Sequence, residues 1–187
     1  MTNTNPTAIT TGEVRLSYVN VFQPNDDGKY SVTILLPKSD TATKARIDAA
    51  IKAAEARGVE KSWKARPPVI PNPIHDGDGL RESGVPFGPE CRGHWVFTAS
   101  TKLPPEVVDA NLNPIINQTE LYSGCYGRVH VNFFPYGGGK TGFKPGVGAG
   151  LGPIQKLEDG EVLGGRMASA DDVFGDGAVH PITGQPL

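Results

Sequence analysis

The residues in this chain best suited to chemistry are flat rings set beside cations. Trp63 lies close to Lys64 and Arg66, Arg92 to Trp95, Tyr126 to Arg128, and Phe134 and Tyr136 to Lys140 and Phe143. Arg15 and Lys29, outward-facing on the first two expected strands, add charge to the same inventory. Unpaired nucleotides need this combination. Cations track the phosphates and ring faces receive the bases, and stacking contributes roughly 1–3 kcal/mol per base whatever the sequence. A single ring more often fills a core than binds a base. Tyr126 and Phe134 gain from alternation, because Val129, Val131 and Phe133 share one face while Tyr126, Arg128, His130, Asn132 and Phe134 share the other.

Other chemical signals fall short. Gly139-Lys140-Thr141 resembles the end of a phosphate-binding loop, but Phe134 stands where the first glycine is needed and Pro145 replaces the helix that must follow. His75-Asp76-Gly77-Asp78 offers oxygen ligands without the twelve-residue calcium pattern and its closing Glu, so a turn capped by Asp side chains is expected. His75, His94, His130 and His180 share no metal-ligand spacing, and Cys91 and Cys125 are too few for a zinc site or a disulfide framework. There is no Gly-x-Ser-x-Gly elbow. The expectation is a binding protein with no catalytic residues, no metal and no cofactor.

The elements that must position these rings read as mainly β. Val14, Leu16 and Tyr18 alternate onto a core face, the turn Pro24-Asn25-Asp26-Asp27-Gly28 follows, and Tyr30, Val32, Ile34 and Leu36 alternate again, giving a hairpin. Ser39 or Asp40 can cap a helix running to about Arg57 and closed by Gly58. Regularity is lost from Val59 to Pro89, a length of loop that is usually functional or mobile. A third strand spans Gly93 to Lys102, with Trp95, Phe97 and Ala99 on one side. The Gly124–Phe134 strand comes next, then the turn Gly137-Gly138-Gly139, and a glycine-laced segment from Gly146 to Gly152 ends at Leu157. Five strands and one helix are the inventory of a small Greek-key barrel with long loops.

Charge divides the chain. Residues 1–157 hold 17 bases and 14 acids (+3), whereas Glu158 to Asp176 hold six acids and one base (−5). A mildly basic body with an acidic end can mark a nucleic-acid protein. The expected organisation is an unstructured 1–11, a binding domain over 12–157 and a flexible acidic tail over 158–187. No apolar run approaches membrane-spanning length and the start lacks a signal-peptide pattern, so neither secretion nor membrane insertion is expected.

The order of these features resembles a family of phage-encoded single-stranded-DNA-binding proteins. The hairpin from Gly12 to Leu36, the Pro-rich loop ending in Asp76-Gly77-Asp78 and the strands at His94–Ser100 and Gly124–Tyr136 come first. Gly146-Val147-Gly148-Ala149-Gly150-Leu151, Gln155-Lys156-Leu157 and Asp171-Asp172-Val173-Phe174 complete the succession, which covers about residues 12–176. The resemblance implies an OB-fold, coating of single-stranded DNA during phage replication or recombination in the cytoplasm of an infected host cell, and no catalysis. By analogy with single-strand-binding proteins generally, Asp171, Asp172, Phe174 and Asp176 would form a tail that competes for the DNA groove or docks replication or recombination proteins. The chain departs from that pattern by ending Gly184-Gln185-Pro186-Leu187, without acidic side chains. The competing reading is a β-rich structural or assembly protein with no nucleic-acid role.

Overall fold

The computed structural model describes residues 5–139 and 142–163. Among these residues eight strands follow in chain order: β1 (Ala8–Thr10), β2 (Val14–Asn20), β3 (Tyr30–Pro37), β4 (His75–Asp76), β5 (His94–Thr101), β6 (Val107–Val108), β7 (Tyr126–Tyr136) and β8 (Gly146–Glu158). Helix α1 (Thr41–Arg57) lies between β3 and β4. Strands β7, β2, β3, β5 and β8 pair in that order, and β8 pairs back onto β7, so five strands close a barrel. The β5–β8 contact is parallel and the other barrel contacts are antiparallel. This is the Greek-key barrel of the OB type. Strands β1, β4 and β6 extend it as short additions on β7, β5 and β8.

Alternation fills the barrel. Val14, Leu16, Val32, Ile34, Leu36, Phe97, Ala99, Val129, Val131 and Phe133 are buried together in one core with Ile47, Ala50 and Ala54 of α1. Asp40 caps the helix, its carboxylate accepting from the Thr43 backbone N–H at 3.0 Å and from the Thr43 hydroxyl at 2.6 Å. These bonds, the hydroxyl's first, hold the Asp40 carboxyl below the usual carboxylate range.

Three expectations need correction. The first concerns the start of the chain, where Ala8–Thr10 form β1 against Asn132–His130. Burying Thr7, Ile9 and Thr11 against β7 outweighs the polar composition that argued for disorder. The second concerns the acidic segment. Strand β8 runs through Glu158, and residues 159–163 are anchored by the Lys156–Asp159 ion pair and by the Leu163 N–H donating to the Ser123 carbonyl.

Gly58 closes α1 after Arg57 as expected, with φ −60°. Its lack of a side chain seats Trp63, since a Cβ there would lie 2.7 Å from the indole ring. The third is Tyr18, which leaves the core face. Between Ser17↔Thr33 and Asn20↔Ser31, β2 advances three residues while β3 advances two. That extra residue is a bulge, which reverses alternation beyond it. Tyr18 sits there with φ 45° and is 63% exposed.

A candidate nucleic-acid interface

The outer face of β3 and β5 carries small hydroxyl side chains beside the apolar pair Leu35 and Val96. Register places Thr33 opposite Thr98 and Ser31 opposite Ser100, with the two threonine hydroxyls 3.0 Å apart. Over this floor lies a cavity of about 620 Å³ that reaches from Ser17 and Tyr18 across to Tyr136, Val147 and Ala149. One wall comes from the irregular stretch after α1, which contributes Pro71, Pro73, His75, Arg81 and Phe87. The Arg81 guanidinium stands 4.9 Å over the Phe87 ring, and the His75 and Phe87 ring centres are 6.3 Å apart. Phe87 is anchored on a small apolar cluster of Leu35, Cys91 and Val96 outside the main core. The groove therefore combines a polar floor, three separated rings (Tyr18, Phe87, Tyr136) and a guanidinium, with Glu82 and Glu90 also in its lining.

The neighbouring wall, β7 against β8, carries its rings differently. Gly146, Gly148 and Gly152 face Tyr136, Phe134 and His130, and a Cβ on Gly148 would lie 2.7 Å from the Phe134 ring. The glycine spacing of β8 is a track on which the outward rings of β7 lie down. Phe134 and Tyr136 stay 42% and 46% exposed.

Among the described residues expected from sequence to meet DNA, Tyr136 lines the groove, and Phe134 lies beside it over Gly148. Phe143 is exposed on the β7–β8 loop. Lys29, Lys64 and Arg92 are exposed outside the lining. Lys29 stands at the same end of the β3–β5 pair as Lys102, which sequence reading missed, because Tyr30 opposes Thr101.

Several residues are committed to the fold instead. Trp63 is 6% exposed in the main core, its indole N–H donating to the Tyr136 carbonyl at 3.0 Å, so it offers no ring face to a base. Its basic neighbours had suggested exposure, but the seat left by Gly58 buries it. Trp95 points to the core side, with the ammonium groups of Lys38 and Lys44 at 4.9 and 4.6 Å from its ring. Arg66 pairs with Glu55. Arg15 donates to the carbonyls of Gly124 and Glu161 and stands 5.6 Å over the Tyr126 ring, whose other neighbour is Gly160. Arg128 donates to the Thr11 carbonyl. Lys140 and the tail residues Asp171, Asp172, Phe174 and Asp176 lie outside the described residues.

The Asp76–Asp78 turn takes a side-chain cation. The Lys38 ammonium bridges Asp76 at 2.6 Å and Asp78 at 2.7 Å. Those bonds, ahead of the ones from the backbone N–H groups of Asp78 and Gly93, lower both carboxyl pKa values, and they raise that of Lys38. Sequence reading missed Tyr18, Arg81 and Phe87. Tyr18 is hidden by the bulge, while Arg81 and Phe87 sit where no periodicity assigns a face.

A closed Greek-key barrel with a ring-lined groove over two central strands defines the OB class of ligand-binding domains. The family described as Enterobacter phage Enc34, ssDNA-binding protein, matches residues 7–181, and the chain belongs to it. No curated protein matches. Among solved structures, the chain is similar to the single-stranded DNA-binding protein from bacteriophage Enc34, at 26% identity and TM-score 0.71, covering 89% of each chain. The same protein in complex with ssDNA gives 27% identity and TM-score 0.70, over 84% of this chain and 89% of that one. A single-stranded DNA-binding protein encoded by bacteriophage T7, gp2.5, shares the fold at 19% identity and TM-score 0.59, over 92% of this chain and 98% of that one.

Proposed function

We propose that this protein binds single-stranded DNA without sequence preference in phage replication or recombination, within the cytoplasm of an infected cell, and catalyses no reaction. The carrying observation is the groove over Thr33 and Thr98. It offers a cavity of about 620 Å³ with rings at separated points, and the Thr33 and Thr98 hydroxyls on its floor can meet any base or sugar. Tyr18, Phe87 and Tyr136 receive bases, with Phe134 beside them. Arg81 meets the strand in the groove, while Lys29, Lys102 and the other exposed cations track the phosphates outside it. Membership of a family named for ssDNA binding supports the reading. Titration of labelled oligo(dT) of graded length at several salt concentrations tests it. Affinity should fall linearly on a log–log plot against salt, because binding releases counterions from the strand. Absence of binding at low salt rejects the reading.

The acidic tail belongs to the same proposal as a competitor for the groove. Leu163 lines a smaller cavity that shares Ser17, Tyr18 and Glu90 with the groove. The eight steps along the chain from Leu163 to Asp171 can reach at most about 29 Å. Residues 164–187 carry three acids and one base, a net −2. Truncation after Leu163 spares the anchored residues 158–163 and should tighten DNA binding; equal affinity rejects competition.

A further inference from the structure

We propose that Lys38 and its two carboxylate partners form a latch that positions Arg81 and Phe87 at the groove, an inference that rests on the DNA-binding reading. The two residues ride on an arm whose backbone bonds turn inward on itself. The Arg81 N–H donates to the Val85 carbonyl, the Gly84 N–H donates to the Arg81 carbonyl, and Leu80 bridges to Pro86. The setting of the arm on the barrel is therefore fixed at its ends. At one end Phe87 packs on Leu35, Cys91 and Val96.

At the other end is the latch. His75 and Asp76 pair with Val96 and Trp95, and the Gly77 N–H donates to the His94 carbonyl. The Asp78 carboxylate accepts from the Gly93 N–H at 3.0 Å while binding Lys38. Lys38 is itself fixed, its N–H donating to the Gly93 carbonyl at 2.9 Å and its ammonium lying over Trp95. One cation thus ties the end of β3, the start of β5 and the base of the arm together. A Cβ at Gly77 would collide with the Cys91 carbonyl, so the turn fits this seat without slack. Half-exposed ion pairs add little to global stability. The effect of the latch is local: it sets where a guanidinium and a ring stand beside the strand.

Asp78→Asn separates this role from plain electrostatics, because the two predict opposite signs. Removing a negative charge near a DNA groove should tighten binding if the charge acts by repulsion. Loosening the latch should weaken binding, by roughly tenfold if the Phe87 platform is lost. The experiment measures oligo(dT) affinity for the wild type, Asp78→Asn, the Arg81→Ala/Phe87→Ala variant that removes both positioned groups, and the triple variant, with thermal melts alongside. The expected result is weaker binding by Asp78→Asn and by Arg81→Ala/Phe87→Ala, an unchanged melt for Asp78→Asn, and a triple variant no weaker than Arg81→Ala/Phe87→Ala. Tighter or unchanged binding by Asp78→Asn overturns the latch, as does a triple variant in which the two losses add or an Arg81→Ala/Phe87→Ala variant that binds normally. If Asp78→Asn melts without cooperativity, Lys38→Met, which keeps the stem on Trp95, takes its place with the same expected non-additivity. A wild type that fails to bind rejects the DNA reading itself, which is distinct from each of those results.

Discussion

Two regions of the barrel surface display rings, and they support them by different means. On the β7–β8 wall the rings of Tyr136, Phe134 and His130 lie against glycines of the adjacent strand. In the groove, Tyr18 is raised by a bulge and Phe87 is delivered by a loop arm, each standing clear of such a track. A ring laid on glycine restores the apolar cover that glycine lacks, so it serves the sheet before any ligand. A ring raised at φ 45° has a backbone cost with no packing return, since Tyr18 is left 63% exposed. Strain of that kind, of order 1–3 kcal/mol, persists where surrounding structure enforces it and gathers at functional sites. The contrast separates rings that serve the sheet as well as the groove, Tyr136 and Phe134, from rings raised clear of the sheet, Tyr18 and Phe87.

The largest effect tests the building side. Trp63→Ala removes a buried ring and the hydrogen bond to Tyr136, and should cost about 3–5 kcal/mol of stability in denaturant melts. A mild loss would mean that the ring is not the anchor its burial implies. Next comes the available side. Tyr18→Gly relieves the positive φ while deleting the ring, so oligo(dT) affinity should weaken by about 1–3 kcal/mol with stability retained. Unchanged affinity would move the stacking site away from the bulge. The smallest effect concerns Tyr126. Its ring lies under Arg15 and against Gly160, so Tyr126→Ala should cost about 0.5–1 kcal/mol of stability through the lost cation–π contact and leave DNA affinity as it was. A loss of affinity matching that of Tyr18→Gly would erase the distinction between the two regions.

Much of the barrel was legible because its strands obey a period of two. The hairpin apart from Tyr18, the Trp95–Phe97–Ala99 face and the outward set of β7 stand as alternation places them. The helix was legible from its cap at Asp40 and its span to Arg57. The site was legible in kind and less so in detail. Rings beside cations were the right chemistry to seek, yet proximity in sequence does not make two side chains share a surface. Arg15 illustrates this by closing over Tyr126 to hold the fold. The β8 glycines read as permission for bends, and their use as a seat for the β7 rings depends on a partner strand that spacing alone does not name.

By itself the sequence determined the strand faces, the helix and the separation of a weakly basic body from an acidic end, because these follow from local period, capping and composition. Tertiary structure decided which rings are covered. A single inserted residue in β2 turned Tyr18 outward, and the missing side chain at Gly58 let Trp63 turn in. It also decided that Asp76 and Asp78 take the Lys38 ammonium, from a residue 38 positions before the first and 40 before the second. Exposure depends on what packs from elsewhere in the chain, and that is set when the barrel closes.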